Sequence, residues 1–321
     1  MQAADTKAQA HMGSTNTVKV AVLQLGAKAF DTAATLAHLK AKISEAADAG
    51  AKLAVFPEAL LGGYPKGYDF GARVGLRTQS GRSWFERYAE SALLWDGPEI
   101  AELCELARTL GIVLHGGFIE RCGGTLYCST LTIGADGTRL AKHRKTMPTA
   151  MERLIWGFGD GSTMQAANTE VGILGGAICW ENYMPQYRLH QYSQGVALYC
   201  APTVDDRDQW QHTMRHIAYE GRCFVLAACQ YSVRADYPAD FEIEKLEGDT
   251  LIRGGSVIVS PMGEVLAGPV YGSEAIVYAE LDLSERIRGQ FDLDVVGHYG
   301  RPDIFSLTVD TAKKAPVRTT G

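Results

Sequence analysis

Three places in this sequence carry side chains able to do covalent and proton-transfer chemistry. Cys179 closes the apolar run Val171 to Ile178 and precedes Trp180-Glu181-Asn182. A strand that ends on a cysteine, with a turn and a helix behind it, sets the thiol at a sheet's carboxyl edge beside unsatisfied backbone N–H groups. Their partial positive charge favours thiolate and can receive negative charge developing on a substrate. Free cysteine is also among the most buried and inert residue types, so position alone leaves a core thiol as the competing reading. Glu58, in Phe56-Pro57-Glu58-Ala59, follows a second short apolar run and should emerge at the same kind of edge. A carboxylate held against apolar walls has a raised pKa and can shuttle protons near neutrality, although a glutamate after a strand is ordinarily a loop residue.

The third place is the basic cluster Lys142-His143-Arg144-Lys145, leading into Thr146-Met147-Pro148-Thr149-Ala150-Met151-Glu152-Arg153. By composition it is a solvated charge run at a strand end. Its continuation, Leu154-Ile155-Trp156-Gly157-Phe158-Gly159-Asp160-Gly161, reads otherwise, because two large aromatics among three glycines suggest a loop that folds back over something.

These residues need a scaffold, and the apolar periodicity supplies one. Strands are expected over Val18–Leu25, buried on both faces, and over Leu53–Phe56, the latter halted by Pro57. Between them Thr32–Ala49 reads as a helix with Leu36, Leu39, Ile43 and Ala47 on one side, Asp31 as N-cap and Gly50 just past its end. A helix over about Glu99–Leu110 leads to strands over Ile112–Ile119 and Leu126–Ile133, paired as a hairpin across Cys122-Gly123-Gly124, with a further strand at Thr138–Ala141. Apolar runs recur at Val171–Ile178, Val196–Cys200, Phe224–Ala228, Ser256–Val259 and Ala275–Leu281, with helices near Pro185–Gln194 and Gln209–Glu220. Strand, helix and hairpin alternate without a Pro- or Ser-rich linker. This predicts one α/β domain of mixed sheets covered by helices, spanning 18–310 between a disordered tail at 1–17 and a loose tail at 311–321. Val18–Phe56 and Val171–Cys200 both read strand, helix, strand, which hints at two related halves forming two sheets.

Composition bounds the function. The chain has 321 residues, 46% of them hydrophobic and 21% charged, enough to bury a large core. The net charge is −6 and the 31 Lys and Arg are scattered, so no basic stripe exists to track a phosphate backbone and nucleic acid is not an expected partner. Seven cysteines without a C-x-x-C pair argue against a disulfide framework or a zinc ribbon, and the eight His are dispersed, so no metal or other cofactor is expected. No apolar stretch is long enough to span a bilayer or act as a secretory signal, which makes a reduced, cytoplasmic protein the default expectation.

Three strings together resemble the signature segments of the nitrilase family, within the carbon-nitrogen hydrolase superfamily: FPEALLGGYPKG (56–67), HRKTMPTAMERLIWGFGDG (143–161) and CWENYMP (179–185). The late stretch GHYGRPDIF (297–305) is also similar, and the likeness spans about Val18 to Asp310. It implies a four-layer α-β-β-α sandwich, association into dimers and higher spirals or filaments, and a Glu-Lys-Cys site. Carried over by position, Glu58 becomes the general base, Lys145 the cation and Cys179 the nucleophile. Lys145 is preferred to Lys142 because the family's lysine directly precedes the x-x-Pro-Thr turn, here Thr146 to Thr149. Glu152 corresponds to a second glutamate beside that lysine. The implied reaction is hydrolysis of an aryl, arylaliphatic or aliphatic nitrile by water to the acid and ammonia through a thioimidate and a thioester. Tyr64, Trp156 and Trp180 are candidate walls for the nitrile. An amidase or carbamoyl hydrolase of the same superfamily, and a non-catalytic oligomeric scaffold, are the alternatives.

Overall fold

The computed structural model describes residues 16–241, 248–315 and 317, so the expected N-terminal tail lies outside the described residues except for its last two positions. The first half runs β1 (Thr17–Gln24), α1 (Thr32–Asp48), β2 (Leu53–Leu61), α2 (Gln79–Ser91), α3 (Pro98–Leu110), β3 (Val113–Cys122), β4 (Thr125–Ile133) and β5 (Arg139–Arg144). The second runs β6 (Ala167–Thr169), β7 (Gly172–Gly176), α4 (Pro185–Ser193), β8 (Leu198–Cys200), α5 (Asp208–Gly221), β9 (Phe224–Ala227), β10 (Tyr231–Val233), β11 (Thr250–Val259), β12 (Val265–Tyr271), β13 (Ala275–Asp282) and α6 (Ser284–Gly289).

Two sheets form. One has the order β13-β1-β2-β3-β4-β5; the other has β10-β11-β9-β8-β7-β6, with β12 paired to β11. Each has a parallel centre built by strand-helix-strand units, β1-α1-β2 in one and β7-α4-β8 in the other. The hint of two related halves therefore has a structural counterpart. The last strand, β13, returns to the first sheet and pairs antiparallel with β1 over its whole length.

The period-two alternation of side chains explains the layering. Along β1, Val20 and Val22 face the other sheet, meeting Leu198, Cys200, Phe224 and Leu226, while Ala21 and Leu23 face Leu36, Leu39 and Ile43 of α1 and Leu103 of α3. On the far side Tyr199, Val225 and Ala227 pack against Trp210, Met214 and Ile217 of α5 and Tyr187 and Tyr192 of α4. Helices, sheet, sheet, helices make four layers, as the family resemblance implies.

Local signals hold where side-chain chemistry makes them explicit. Asp31 caps α1, its Oδ1 accepting from the Ala34 amide at 2.9 Å, and the chain leaves that helix through Gly50 at φ +89°. The β3–β4 hairpin turns at Gly123, φ +61°, with Cys122 opposite Thr125.

Several features depart from expectation. β2 does not halt at Pro57; it continues to Leu61, because Pro57 falls where β2 loses register with β3, between Phe56 and Leu61, so no ladder N–H is needed there. Helix α2 has no counterpart among the expected elements, since it buries only Gly81, Trp84, Tyr88 and Ser91 and carries no aliphatic stripe. Strand β12 is half-exposed and glycine-interrupted, without the apolar run that marks the other strands. The stretch expected to be a loose tail from 311 is exposed and outside any helix or strand over 311–315, with the Lys314 amide donating to Asp160 Oδ2 at 2.7 Å.

Candidate active site

Glu58 sits within the irregular end of β2, Lys145 directly after β5, and Cys179 in a 3-10 turn, Cys179–Tyr183, after β7. All three are buried. The geometry of each segment is forced by close backbone approaches. A Cβ at Gly117 of β3 would lie 2.5 Å from Glu58 Cα, and one at Gly176 of β7 would lie 1.8 Å from the Cys200 carbonyl oxygen, so only glycine lets these strands run together. Cys179 itself is held at φ +48°, a left-handed conformation that non-glycine residues adopt reluctantly. Its N–H donates to the Pro202 carbonyl at 2.9 Å, and Asn182 Nδ2 clamps the turn through the Ala177 and Cys179 carbonyls at 2.9 and 2.8 Å.

The basic cluster is not a solvated run. Alternation along β5 sends Lys142 and Arg144 to one face, where both pair with buried Glu120 at 2.5 and 2.7 Å. His143 and Lys145 take the other. Lys145 Nζ donates to Glu58 Oε1 at 2.7 Å and to Glu152 Oε2 at 2.9 Å, and lies 5.7 Å from the Trp156 ring centre. Glu152 Oε2 also accepts from the Thr149 amide, at 2.6 Å, and Tyr64 donates to its Oε1 at 2.8 Å. Lys145 and Glu152 thus form one buried unit with Glu58.

Cys179 joins this unit through Thr203 and Gln230. Thr203 Oγ1 donates to Cys179 Sγ at 3.1 Å; the Gln230 amide donates to the Thr203 carbonyl at 3.2 Å; and Gln230 Nε2 donates to the Glu58 carbonyl at 2.7 Å. A second thiol, Cys128, donates to Glu58 Oε1 at 3.5 Å. The other carboxyl oxygen, Glu58 Oε2, is buried without a hydrogen-bond partner among the described residues. Thr203, Gln230 and Cys128 are hydrogen-bonded neighbours of these side chains that the sequence reading misses. The signal for Thr203 is the segment Ala201-Pro202-Thr203 following the run Val196–Cys200, a position at a strand end like that of Cys179.

Burial sets the electrostatics. It raises the Glu58 carboxyl above the ordinary carboxylate range, with Lys145 opposing and Glu152 reinforcing the change. It raises the Cys179 thiol well above its ordinary value, Glu58 adding to the effect and Lys145 opposing it. It pulls Lys145 down, but Glu58, Cys179 and Glu152 outweigh it, so the ammonium is held charged. A carboxyl with one oxygen unpartnered among the described residues, an ammonium held charged and a thiol therefore share one buried compartment.

A cavity of about 440 Å³ opens onto the Glu152 end of this compartment, lined among others by Tyr64, Tyr68, Met151, Ile155 and Trp156. Tyr64 and Trp156, two of the three expected wall residues, meet edge to face at 5.8 Å. Trp180 does not line it. Its indole is 41% exposed, donates to Asp205 at 2.9 Å and lies under the Arg207 guanidinium at 4.9 Å. No group of three or more His, Cys, Asp or Glu among the described residues converges to hold a metal ion.

A buried glutamate, lysine and cysteine between two helix-covered sheets bring a carboxylate, an ammonium and a thiol together in one place. The carbon-nitrogen hydrolase family profile matches residues 19–288. The chain is 53% identical over 309 residues to a nitrilase of Bradyrhizobium diazoefficiens, covering 95% of each protein. It is 51% identical over 303 residues to an aliphatic nitrilase of Sinorhizobium fredii, covering 94% of this chain and 98% of that one. Among solved structures, a Saccharomyces cerevisiae protein of branch 10 of the nitrilase superfamily has the same fold, with a TM-score of 0.69 at 21% identity over 88% of this chain and 96% of the other. The chain belongs to the carbon-nitrogen hydrolase family, and within it to the nitrilases.

Proposed function

We propose that the protein hydrolyses organic nitriles to the carboxylic acid and ammonia, with Cys179 as nucleophile, Glu58 as general base and acid, Lys145 as the fixed cation and Glu152 as the group that orients Lys145. The observation that carries this reading is the contact of Lys145 with both carboxylates in a buried cluster that also holds the Cys179 thiol. Glu58 Oε2, unoccupied by any other donor among the described residues, takes the thiol proton. Sulfur attacks the nitrile carbon, and negative charge grows on nitrogen. Lys145 and the backbone amide of Trp180 stabilise that charge while Glu58 returns the proton, giving the thioimidate; such preorganised donors are worth several kcal/mol, roughly 3 to 4 each where measured. Glu58 then activates water, ammonia leaves, and a second water releases the acid from the thioester.

The cavity suits a small apolar ligand, and its aromatic lining favours arylaliphatic nitriles. The likeness to an aliphatic nitrilase requires aliphatic nitriles in the same assay. All seven cysteines are free thiols, and no helix among the described residues is long and apolar enough to cross a membrane, which supports our placing the reaction in the reducing cytoplasm. We also read the chain as a homo-oligomer with a dimer building block, since Ile287, Phe291, Tyr299, Ile304 and Phe305 expose their apolar side chains along α6 and the segment after it.

The test is ammonia release from a panel of aryl, arylaliphatic and aliphatic nitriles and the matching amides. The wild type should act on at least one nitrile faster than on its amide, and Cys179→Ala should release nothing. Activity surviving in Cys179→Ala removes the nucleophile, and turnover confined to amides replaces the nitrile reading with the amidase one.

A further inference from the structure

Thr203 is fully buried at the end of the loop that leaves β8, and its hydroxyl is in a defined hydrogen-bonding state. The Asp205 amide donates to Thr203 Oγ1 at 2.9 Å, which occupies one of the oxygen's two lone pairs and orients the hydroxyl. Among the described residues, the acceptor that the hydroxyl's proton reaches is Cys179 Sγ at 3.1 Å. The threonine backbone is fixed as well: its N–H donates to the Ala228 carbonyl at 2.8 Å and its carbonyl accepts from the Gln230 amide. A donor anchored at every point therefore aims at the sulfur, and it stands apart from the walls of the nitrile cavity.

We propose that Thr203 is a further catalytic residue, a preorganised hydroxyl donor that stabilises the Cys179 thiolate when it attacks and when it departs as the leaving group of the thioester. The proposal rests on Cys179 being the nucleophile. No proton leaves Thr203 at any stage. The S–H bond breaks as Glu58 gains the proton, the sulfur lone pair forms the S–C bond, and in the last step that bond breaks and its electron pair returns to a sulfur still facing the Thr203 O–H. A hydrogen bond to an ionised acceptor is roughly twice as strong as one to a neutral acceptor, so the contact gains strength when sulfur is anionic and relaxes in the covalent intermediates. Burial pushes the Cys179 thiol up, and this hydroxyl is one of the groups acting in the opposite direction.

The experiment replaces Thr203 by Val, which keeps the branched shape and deletes the donor, and by Ser, which keeps the donor and deletes the methyl. The reactivity of Cys179 is followed across pH by iodoacetamide alkylation and by ultraviolet thiolate absorbance, each corrected with the matched Cys179→Ala protein. Thr203→Val should move the thiolate midpoint upward by about one to two pH units. At a fixed pH below the midpoint, alkylation should slow about threefold for every pH unit by which the midpoint rises, because the more basic thiolate is intrinsically more reactive. Thr203→Ser should keep its midpoint within a few tenths of a pH unit of the wild type. Equal midpoints and rates in wild type and Thr203→Val would overturn the proposal, as would a serine variant that behaves like the valine one, since that assigns the effect to packing. Should Thr203→Val fail to fold, Thr203→Ala reads the same loss of the donor. None of these readouts needs a nitrile, so their failure leaves the nitrilase reading standing, while alkylation of Cys179 that leaves nitrile turnover intact would remove the nucleophile itself.

Discussion

Glu58 must be ionised to accept a proton, yet it lies where ionisation is costly. Burial raises its pKa, and the adjacent Lys145 only partly reverses the effect. Below that pKa the carboxyl is already protonated and the thiol keeps its hydrogen, so activity should fall on the acid side. The acid limb of kcat/KM is expected above the ordinary glutamate range of about 4.3, and Glu58→Gln should lower turnover by about 10² to 10⁴ with an unchanged circular dichroism spectrum. A limb at the ordinary carboxylate position, or near-wild-type turnover in the glutamine variant, would remove Glu58 from proton transfer. The types of these residues are legible in the sequence because Glu58 and Cys179 both follow apolar runs. The choice of Lys145 over Lys142 is not legible from composition; it takes the family resemblance, and the physical reason emerges only with β5, whose alternation gives Lys142 to Glu120 and Lys145 to Glu58. Trp180 shows the converse limit, since adjacency to Cys179 in the chain does not fix the direction in which an indole points.

Between the residues stand the turns that carry them, and one buried carboxylate ties two of these together. Glu181 Oε1 accepts from the Thr146 amide and hydroxyl, both at 2.6 Å, while its Oε2 accepts from the Ile178 amide at 2.9 Å. The turn after Lys145 and the turn at Cys179 are thereby pinned to a common point, with His143 Nε2 at 3.1 Å from Oε2 on the same group. The charge matters: His143 and the hydrogen bonds from Thr146 hold the carboxyl below the usual range against the cost of its burial. Glu181→Gln keeps the volume but turns an acceptor into a donor facing amide N–H groups. It should destabilise the protein by about 3 kcal/mol, read from the denaturant midpoint, and cut kcat by about tenfold or more through misalignment. Unchanged values for both would show that the two turns hold themselves. Such a staple is invisible in sequence, because its partners are 35 residues apart and reveal themselves only when the fold brings the turn after β5 against the turn after β7. Helix α2 is hidden for a different reason: it packs through Trp84 and Tyr88 against Phe30, Phe70 and Phe241, an aromatic cluster gathered from distant loops and not from a periodic aliphatic face.

Over the whole molecule, two sheets meet through Val, Leu, Ile and Phe side chains and place the ends of β2, β5 and β7 around one compartment. The long apolar runs make this architecture readable, since strands buried on both faces cannot alternate with polar residues. The proposed association of chains is argued from the exposed apolar side chains around α6 and from family likeness, and light scattering of the native protein should return an even multiple of the chain mass. A strictly monomeric, fully active enzyme would dismiss the dimer building block.

The division of labour between the sheet ends and the loops has an evolutionary consequence. The proposed reacting groups are held where Gly117 of β3 and Gly176 of β7 admit no side chain, whereas the cavity takes its walls from 64–69 and 149–156, segments fixed at Tyr64, Gly67, Thr149, Ala150, Glu152 and Trp156 by hydrogen bonds or a positive φ. Mutational libraries restricted to positions such as Met151 and Ile155 should therefore shift the choice of nitrile while leaving the proposed reacting groups untouched.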